Sequence, residues 1–222
     1  MTLLKKLSYT ACLGIVILFT VGCMNNTTSS KSGTVIILNG PSSVGKSSII
    51  KAFQAKQSIP WLSIGIDNFF VGVLPPKFYL ESKPEHYVVM HGIPSEDKDG
   101  KLFTLEVGSE GQKVIKGMHR AIAAYANAGN NVIVDYIKYE QAWLPDLREA
   151  LHGINVIWVG ITASLETIQQ REKKRGTSPE GHARSHYHTV HQSINYDLIL
   201  DTDNLTPEQA SDEIIKLMQD KK

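Results

Sequence analysis

The chain has 222 residues, 42% hydrophobic and 20% charged, with 23 Lys and Arg against 22 Asp and Glu for a net charge of +1. So even a balance gives no global reason to expect nucleic-acid binding. Both cysteines, Cys12 and Cys23, lie near the start, which excludes disulfides, cysteine–zinc sites and cysteine nucleophiles from everything after residue 33.

Residues 1–33 read as a leader. Lys5 and Lys6 form a positive n-region, and Ala11 to Val21 is an apolar run whose one polar break is Thr20. Val21-Gly22-Cys23 then places small residues before a cysteine, and Asn25 to Ser32 is a polar spacer. That order predicts a secretory signal. It resembles a bacterial lipoprotein leader, in which Cys23 is lipidated and becomes the mature N-terminus. Thr20 stands where such leaders usually carry an aliphatic residue. An uncleaved anchor is the alternative, although about eleven apolar residues are short for a bilayer span. The expectation is a membrane-anchored or exported protein, cytoplasmic if the leader does not function, with membrane contact through the leader alone.

Residues 34–222, enough for one domain with a proper core, alternate strand-like and helix-like segments. Thr34 to Leu38 is a short β-branched apolar run, the signature of a buried strand. Gly40-Pro41-Ser42-Ser43-Val44-Gly45-Lys46-Ser47 follows and fits the phosphate-binding pattern G-x-x-x-x-G-K-[ST]. Ser47 to Phe53 opens a helix, so an anion held by the loop meets a positive helix end. Trp61 to Ile66 is a second strand ending at Asp67. Residues 72–112 break the alternation with Pro75, Pro76, Pro84 and Pro94, and with Asp99-Gly100 between apolar runs, a hairpin signal. So long an excursion is expected to be a substrate-covering insertion, the alternative being a disordered segment.

Lys113 to Ala128 carries apolar residues at 114, 115, 118, 122 and 125 and stops at Gly129, an amphipathic helix with a glycine C-cap. Asn131 to Val134 is a third strand ending at Asp135, Trp143 to Leu151 a helix, Ile154 to Ile161 a fourth strand, and Leu165 to Lys174 a helix. Asp197 to Leu200 is a fifth strand. Thr206-Pro207-Glu208-Gln209 caps a last helix running to about Gln219. The order implies an α/β fold, a parallel five-stranded sheet with helices on both faces.

Ligands in such sheets bind beyond the carboxyl ends of the strands, where three features converge. The loop from Gly40 to Ser48, including Pro41, Ser42, Ser43, Val44 and Gly45, is the expected phosphate cradle, with Lys46 reaching the β/γ-phosphates. Its glycines are expected where the backbone turns tightly or approaches an anion closely. Asp135 occupies a Walker-B position, and with the Ser47 hydroxyl it suits Mg²⁺, which prefers hard oxygen ligands; an ordinary turn aspartate is the alternative. Asp67 is the expected base, since a carboxylate beside the γ-phosphate can orient an alcohol and take its proton. A turn cap formed by Asp67-Asn68 is the competing reading.

Arg171 and Arg175 share one helix face and are expected to close over the transferring phosphoryl group; Lys173 and Lys174 fit a solvated face equally well. His182, His186, His188 and His191 cluster after them. A zinc site is one reading, but no supporting cysteine or carboxylate pattern accompanies them, which favours a polar helix facing the pocket.

Taken together, these segments resemble the chloramphenicol phosphotransferase family of P-loop kinases. The matching stretches are Ile37-Leu-Asn-Gly-Pro-Ser-Ser-Val-Gly-Lys-Ser47, Pro60-Trp-Leu-Ser-Ile-Gly-Ile-Asp67, Ala128-Gly-Asn-Asn-Val-Ile-Val-Asp135 and Val156-Ile-Trp-Val-Gly160. They continue through Arg171-Glu-Lys-Lys-Arg-Gly176, His191, Tyr196-Asp197 and Asp201-Thr202, so the resemblance spans about residues 34–210. It implies a P-loop NTPase three-layer α/β/α fold of the nucleoside-monophosphate-kinase type with a lid, and transfer of the ATP γ-phosphate to a primary hydroxyl of chloramphenicol, an antibiotic-resistance activity. It also implies that Asp67 matches the family's proposed base and that Lys46 and Ser47 match its nucleotide site. Tyr136, where an acidic residue is expected, and Ser178, near an expected lid arginine, depart from the pattern.

The expected function is therefore an ATP- and Mg²⁺-dependent small-molecule O-kinase that binds no nucleic acid. The alternative is an ATP-binding or hydrolysing module that switches a protein partner. An exported enzyme would meet little free ATP.

Overall fold

The structure is a computed structural model, and it describes residues 31–75, 78, 87–94 and 102–221. The expected leader, with Lys5, Lys6, Cys12 and Cys23, lies outside the described residues apart from its last three positions, as do Pro76, Pro84 and the Asp99-Gly100 turn. The elements run β1 (Thr34–Asn39), α1 (Lys46–Ala55), β2 (Trp61–Gly65), α2 (Ile66–Phe70), β3 (Val88–Ile93), β4 (Leu102–Val107) and α3 (Ser109–Asn127). They continue with β5 (Asn131–Tyr136), α4 (Trp143–Ala150), β6 (Asn155–Thr162), α5 (Leu165–Arg175), α6 (His182–His186), β7 (Leu198–Asp201) and α7 (Pro207–Asp220). Among these helices none is long and apolar enough to cross a membrane.

Five strands form one parallel sheet in the order β2-β5-β1-β6-β7. The middle strand β1 pairs Val35 with Val132 on one side and with Val156 on the other. Helices cover both faces, which is why the strands read as continuous apolar runs rather than alternating ones. Val35, Ile37, Val132 and Val134 face α3, which contributes Ile115, Met118, Ile122 and Ala126. Ile36, Leu38, Ile133 and Val159 face the opposite layer, where α1 supplies Ile49 and Phe53 and α7 supplies Ile214. All of these side chains are essentially inaccessible, and burying each aliphatic or aromatic one stabilises the fold by about 1.5–3 kcal/mol.

The caps follow the sequence. Thr206 Oγ1 accepts the Gln209 N–H at 3.2 Å while Gln209 Oε1 accepts the Thr206 N–H at 2.9 Å, a reciprocal box with Pro207 at the first helical position. Gly129, at φ 90, ends α3. Within the expected insertion 72–112, β3 and β4 form an antiparallel hairpin in which Val88 opposes Val107 and Ile93 opposes Leu102. Its last four residues already belong to α3, which begins at Ser109. The second strand is also shorter than expected: it ends at Gly65, and Asp67 falls in the first turn of α2.

One buried knot ties the mouth of the sheet together. Asn39, at the end of β1, donates from Nδ2 to Val190 O at 2.9 Å and to the Tyr196 hydroxyl at 2.6 Å, and its Oδ1 accepts the Lys138 N–H at 3.1 Å. The Tyr196 ring lies flat on Gly160, where a Cβ would come within 3.0 Å of it. Gly160→Ala should therefore push the ring off its seat and loosen Asn39. The expected loss is about 1–3 kcal/mol, read as a lower urea midpoint at unchanged m-value.

Candidate active site

Everything expected to be functional gathers at the carboxyl end of the sheet, around a cleft of about 1400 Å³. The chain leaves β1 at Asn39, bends through Gly40 to Gly45 and enters α1 at Lys46. Two residues of the bend have left-handed backbone, Ser43 at φ 62 and Gly45 at φ 104. Such reversals turn successive N–H groups into one concavity that suits an anion, and α1 adds its positive end. At Gly45 the conformation itself calls for glycine. Gly40 is required for a different reason from the one the sequence suggested: a Cβ there would lie 2.4 Å from the carbonyl oxygen of Ile161, so β6, not a bound anion, excludes a side chain. Ser43 adopts its φ without being glycine, at a cost of about 1–2 kcal/mol.

Lys46 is only 4% exposed. Its Nζ donates to Gly40 O at 2.9 Å and Pro41 O at 2.8 Å, and stands 3.5 Å from Asp135 Oδ1. Burial pulls its pKa below the ordinary lysine value, and the Asp135 carboxylate works against that pull. The other oxygen, Asp135 Oδ2, accepts the Ser47 hydroxyl at 2.7 Å. Ser48, exposed at the start of α1, lines the cleft beside them. Ser47 Oγ and the Asp135 carboxylate are hard oxygens a few ångströms from the buried ammonium, a donor set that fits Mg²⁺ with water completing its octahedron. Among the described residues, no group of three His, Cys, Asp or Glu side chains gathers to hold a metal.

Asp67 and Asn68 divide their work. The Asn68 side chain accepts the Gly65 N–H at 2.6 Å and so closes the turn into α2, while Asp67 lines the cleft. Solvent reaches Asp67, yet the cleft walls strip water from its carboxyl. That desolvation, followed by the negative charge of Asp135, raises its pKa above the usual carboxylate value, against the pull of Lys46 and Arg175.

Both arginines of α5 reach the loop. Arg171 donates to Val44 O at 3.3 Å, to Thr202 Oγ1 at 2.9 Å and to Thr202 O at 2.9 Å. Arg175 donates to Ser42 Oγ at 3.1 Å and Ser178 Oγ at 3.0 Å. Arg171 therefore braces the back of the loop, whereas Arg175 reaches the hydroxyl on the loop's first turn. Ser178, where the resemblance leads one to expect a lid arginine nearby, is one of the groups that hold Arg175.

Strand alternation settles where Tyr136 points. Asp135 faces the cleft, so its neighbour enters the core, fully buried, with its hydroxyl 3.1 Å from His119 Nε2; His119 Nδ1 in turn lies 2.6 Å from Asp146 Oδ2. Burial raises the Tyr136 pKa, so the phenol stays protonated. This second departure alters the core and leaves the cleft untouched.

The hairpin supplies Met90, Phe103 and Leu105 to the cleft, α2 supplies Phe70, and the segment after β5 supplies Tyr139. The β7 side supplies Thr202 and Leu205. Sequence reasoning expected the segment 72–112 to cover a substrate but singled out none of these side chains as lining. Phe103 and Leu105 sit in an alternating run just past the expected Asp99-Gly100 turn, Tyr139 is a single residue after a strand with no motif of its own, and Thr202 enters the sequence reading only as the end of a matching stretch. Of the four histidines, His182 lines the cleft, with Nε2 3.0 Å from the Tyr139 hydroxyl and Nδ1 3.2 Å from Phe103 O. His186 lies behind it, 3.0 Å from the Ser42 N–H.

A Mycobacterium tuberculosis H37Rv protein that bears a provisional O-phosphotransferase name is 34% identical over 171 residues, which cover 77% of this chain and 75% of the relative. Among solved structures, the Mycobacterium tuberculosis APS kinase CysC in complex with AMPPNP and APS aligns at a TM-score of 0.58 with 16% identity, over 85% of this chain and 98% of that one. A gluconokinase from Sinorhizobium meliloti 1021 aligns at 0.52 with 18% identity, over 85% and 93%. At those identities the likeness is one of fold, the α/β fold of P-loop kinases. The family model described as chloramphenicol phosphotransferase-like protein matches residues 33–219, and the chain belongs to that family.

Proposed function

We propose that the protein is an ATP-dependent O-phosphotransferase that moves the γ-phosphate to a hydroxyl of a small molecule, with chloramphenicol or a related compound as the acceptor its family suggests. One observation carries this reading: the Asp67 carboxylate and the buried Lys46 share a single cleft that also has an apolar wall of Phe70, Met90, Phe103 and Leu105. A module that only bound or hydrolysed nucleotide would have no need of that wall.

In this reading the amides from Ser43 to Ser47 and the Lys46 ammonium hold the phosphates, while Arg175 counters charge that builds on the transferring group. The acceptor rests against the hairpin with its hydroxyl toward Asp67. As the hydroxyl oxygen bonds to the γ-phosphorus and the bond from that phosphorus to the β–γ bridging oxygen breaks, the hydroxyl proton passes to Asp67 and ADP leaves. Ser47 and Asp135 would hold Mg²⁺, which would supply charge neutralisation on the phosphate oxygens. The wall keeps bulk water from competing for the phosphoryl group.

Asp67→Asn should lower transfer to chloramphenicol by about 10²–10⁴-fold, measured with radiolabelled ATP, while AMPPNP affinity stays near that of the parent. Equal activity in the variant removes Asp67 as the base. Because Asp67 works as a carboxylate and its pKa lies above the ordinary value, kcat/KM should fall as pH drops through that raised pKa. The acidic limb should thus sit higher than an exposed aspartate would give, and it should vanish in the Asn variant. Asp135→Asn should raise the Mg²⁺ concentration needed for half-maximal activity at least about tenfold, in a titration at saturating ATP; an unchanged requirement excludes Asp135 from the metal site.

A further inference from the structure

The phosphate loop is braced at both ends of its strained residue. After Ser43, the Val44 carbonyl accepts Thr202 Oγ1 at 2.8 Å and Arg171 Nη1 at 3.3 Å. Before it, Ser42 is gripped twice: Arg175 donates to its hydroxyl, and its N–H donates to His186 Nε2 at 3.0 Å. A backbone amide in such a loop given to a histidine ring is not explained by phosphate binding, so the ring has another task.

The surroundings fix which form of His186 is present. To accept from an amide, Nε2 must carry no hydrogen, so the proton sits on Nδ1. The Ser185 hydroxyl lies 3.3 Å from Nδ1 and gives its own proton to His182 O at 2.7 Å, leaving its oxygen to accept. The ring is 3% exposed, and burial, with His182 and Lys46 nearby, pushes its pKa well below the ordinary value. Tyr139 and His182 pack edge-on against it, with ring centroids at 4.9 and 5.0 Å. The helix that carries it is itself clamped: Glu172, 1% exposed, accepts the Gly181 N–H at 2.8 Å and the Ala183 N–H at 2.7 Å. Glu172 belongs to α5, between the two arginines. Helices α5 and α6 therefore meet Ser42 as one unit, one at its side chain and the other at its backbone.

We propose that His186 is a positioning residue for phosphoryl transfer, fixing the Ser42 peptide so that the left-handed turn at Ser43 and the amides beyond it keep the shape that receives nucleotide phosphates. The role rests on the kinase reading above.

Three forms of the full chain test it, by calorimetric titration with AMPPNP: the parent, His186→Phe, which keeps a packed ring but no acceptor, and His186→Gln, whose carbonyl can accept. The Phe variant should bind about tenfold more weakly, the scale of one orphaned buried donor, and the Gln variant within about threefold of the parent. Parent-like binding by the Phe variant overturns the proposal. So does a Gln variant as weak as the Phe variant when both melt at the parent's temperature, because packing alone would then explain the loss. A measurement that needs no variant stands beside these: ¹⁵N spectra of the parent should show His186 with its proton on Nδ1, and a proton on Nε2 also overturns the proposal. If the parent itself fails to bind AMPPNP, the kinase reading falls, and the ¹⁵N spectrum still decides whether His186 holds the Ser42 amide.

Discussion

A lysine hidden from water beside a carboxylate is the constraint around which this site is organised. Lys46 gives up hydration, and the fold compensates with two loop carbonyls and the Asp135 carboxylate. Removing any one partner from a buried charge is far more damaging than the pair is stabilising, so the loop, α1 and the end of β5 cannot vary independently. Asp135 in turn serves Ser47 and sets part of the charge felt by Asp67. A single side chain thus ties the phosphate end of the cleft to the expected alcohol end.

The sheet and its phosphate loop were legible because their causes are local. Apolar runs four to eight residues long announce strands buried on two faces, and Thr206-Pro207-Glu208-Gln209 announces a helix start through reciprocal hydrogen bonds of its own residues. Asp135 stood out because it closes such a run. The rest depends on partners far away in sequence. Glu172 sits in Arg-Glu-Lys-Lys-Arg, which reads as a solvated charge run, yet two backbone amides draw it into the interior. The α6 helix lacks an apolar stripe, and its two inward histidines are satisfied by Ser42, Tyr139 and Phe103, all outside the segment. The same holds for Gly40, whose requirement comes from a carbonyl 121 positions later.

The two residues expected to depart from the family pattern, Tyr136 and Ser178, differ in placement. Tyr136 joins His119 and Asp146 behind the sheet, where a second acid would have changed core chemistry rather than the cleft. Ser178 holds Arg175 over the loop. The apolar wall of the cleft is built elsewhere, by the hairpin and by α2.

The strand order has a consequence for biogenesis. Among the described strands the central one leaves the ribosome first, yet both of its neighbours, at residues 131–136 and 155–162, are translated much later. Until then Val35, Ile36, Ile37 and Leu38 have no ladder to join, and contacts of such long range are slow to form. The phosphate loop therefore cannot take its final shape before β6 is made, and nascent chains that end before residue 155 expose an aliphatic strand lacking one neighbour to chaperones or to one another.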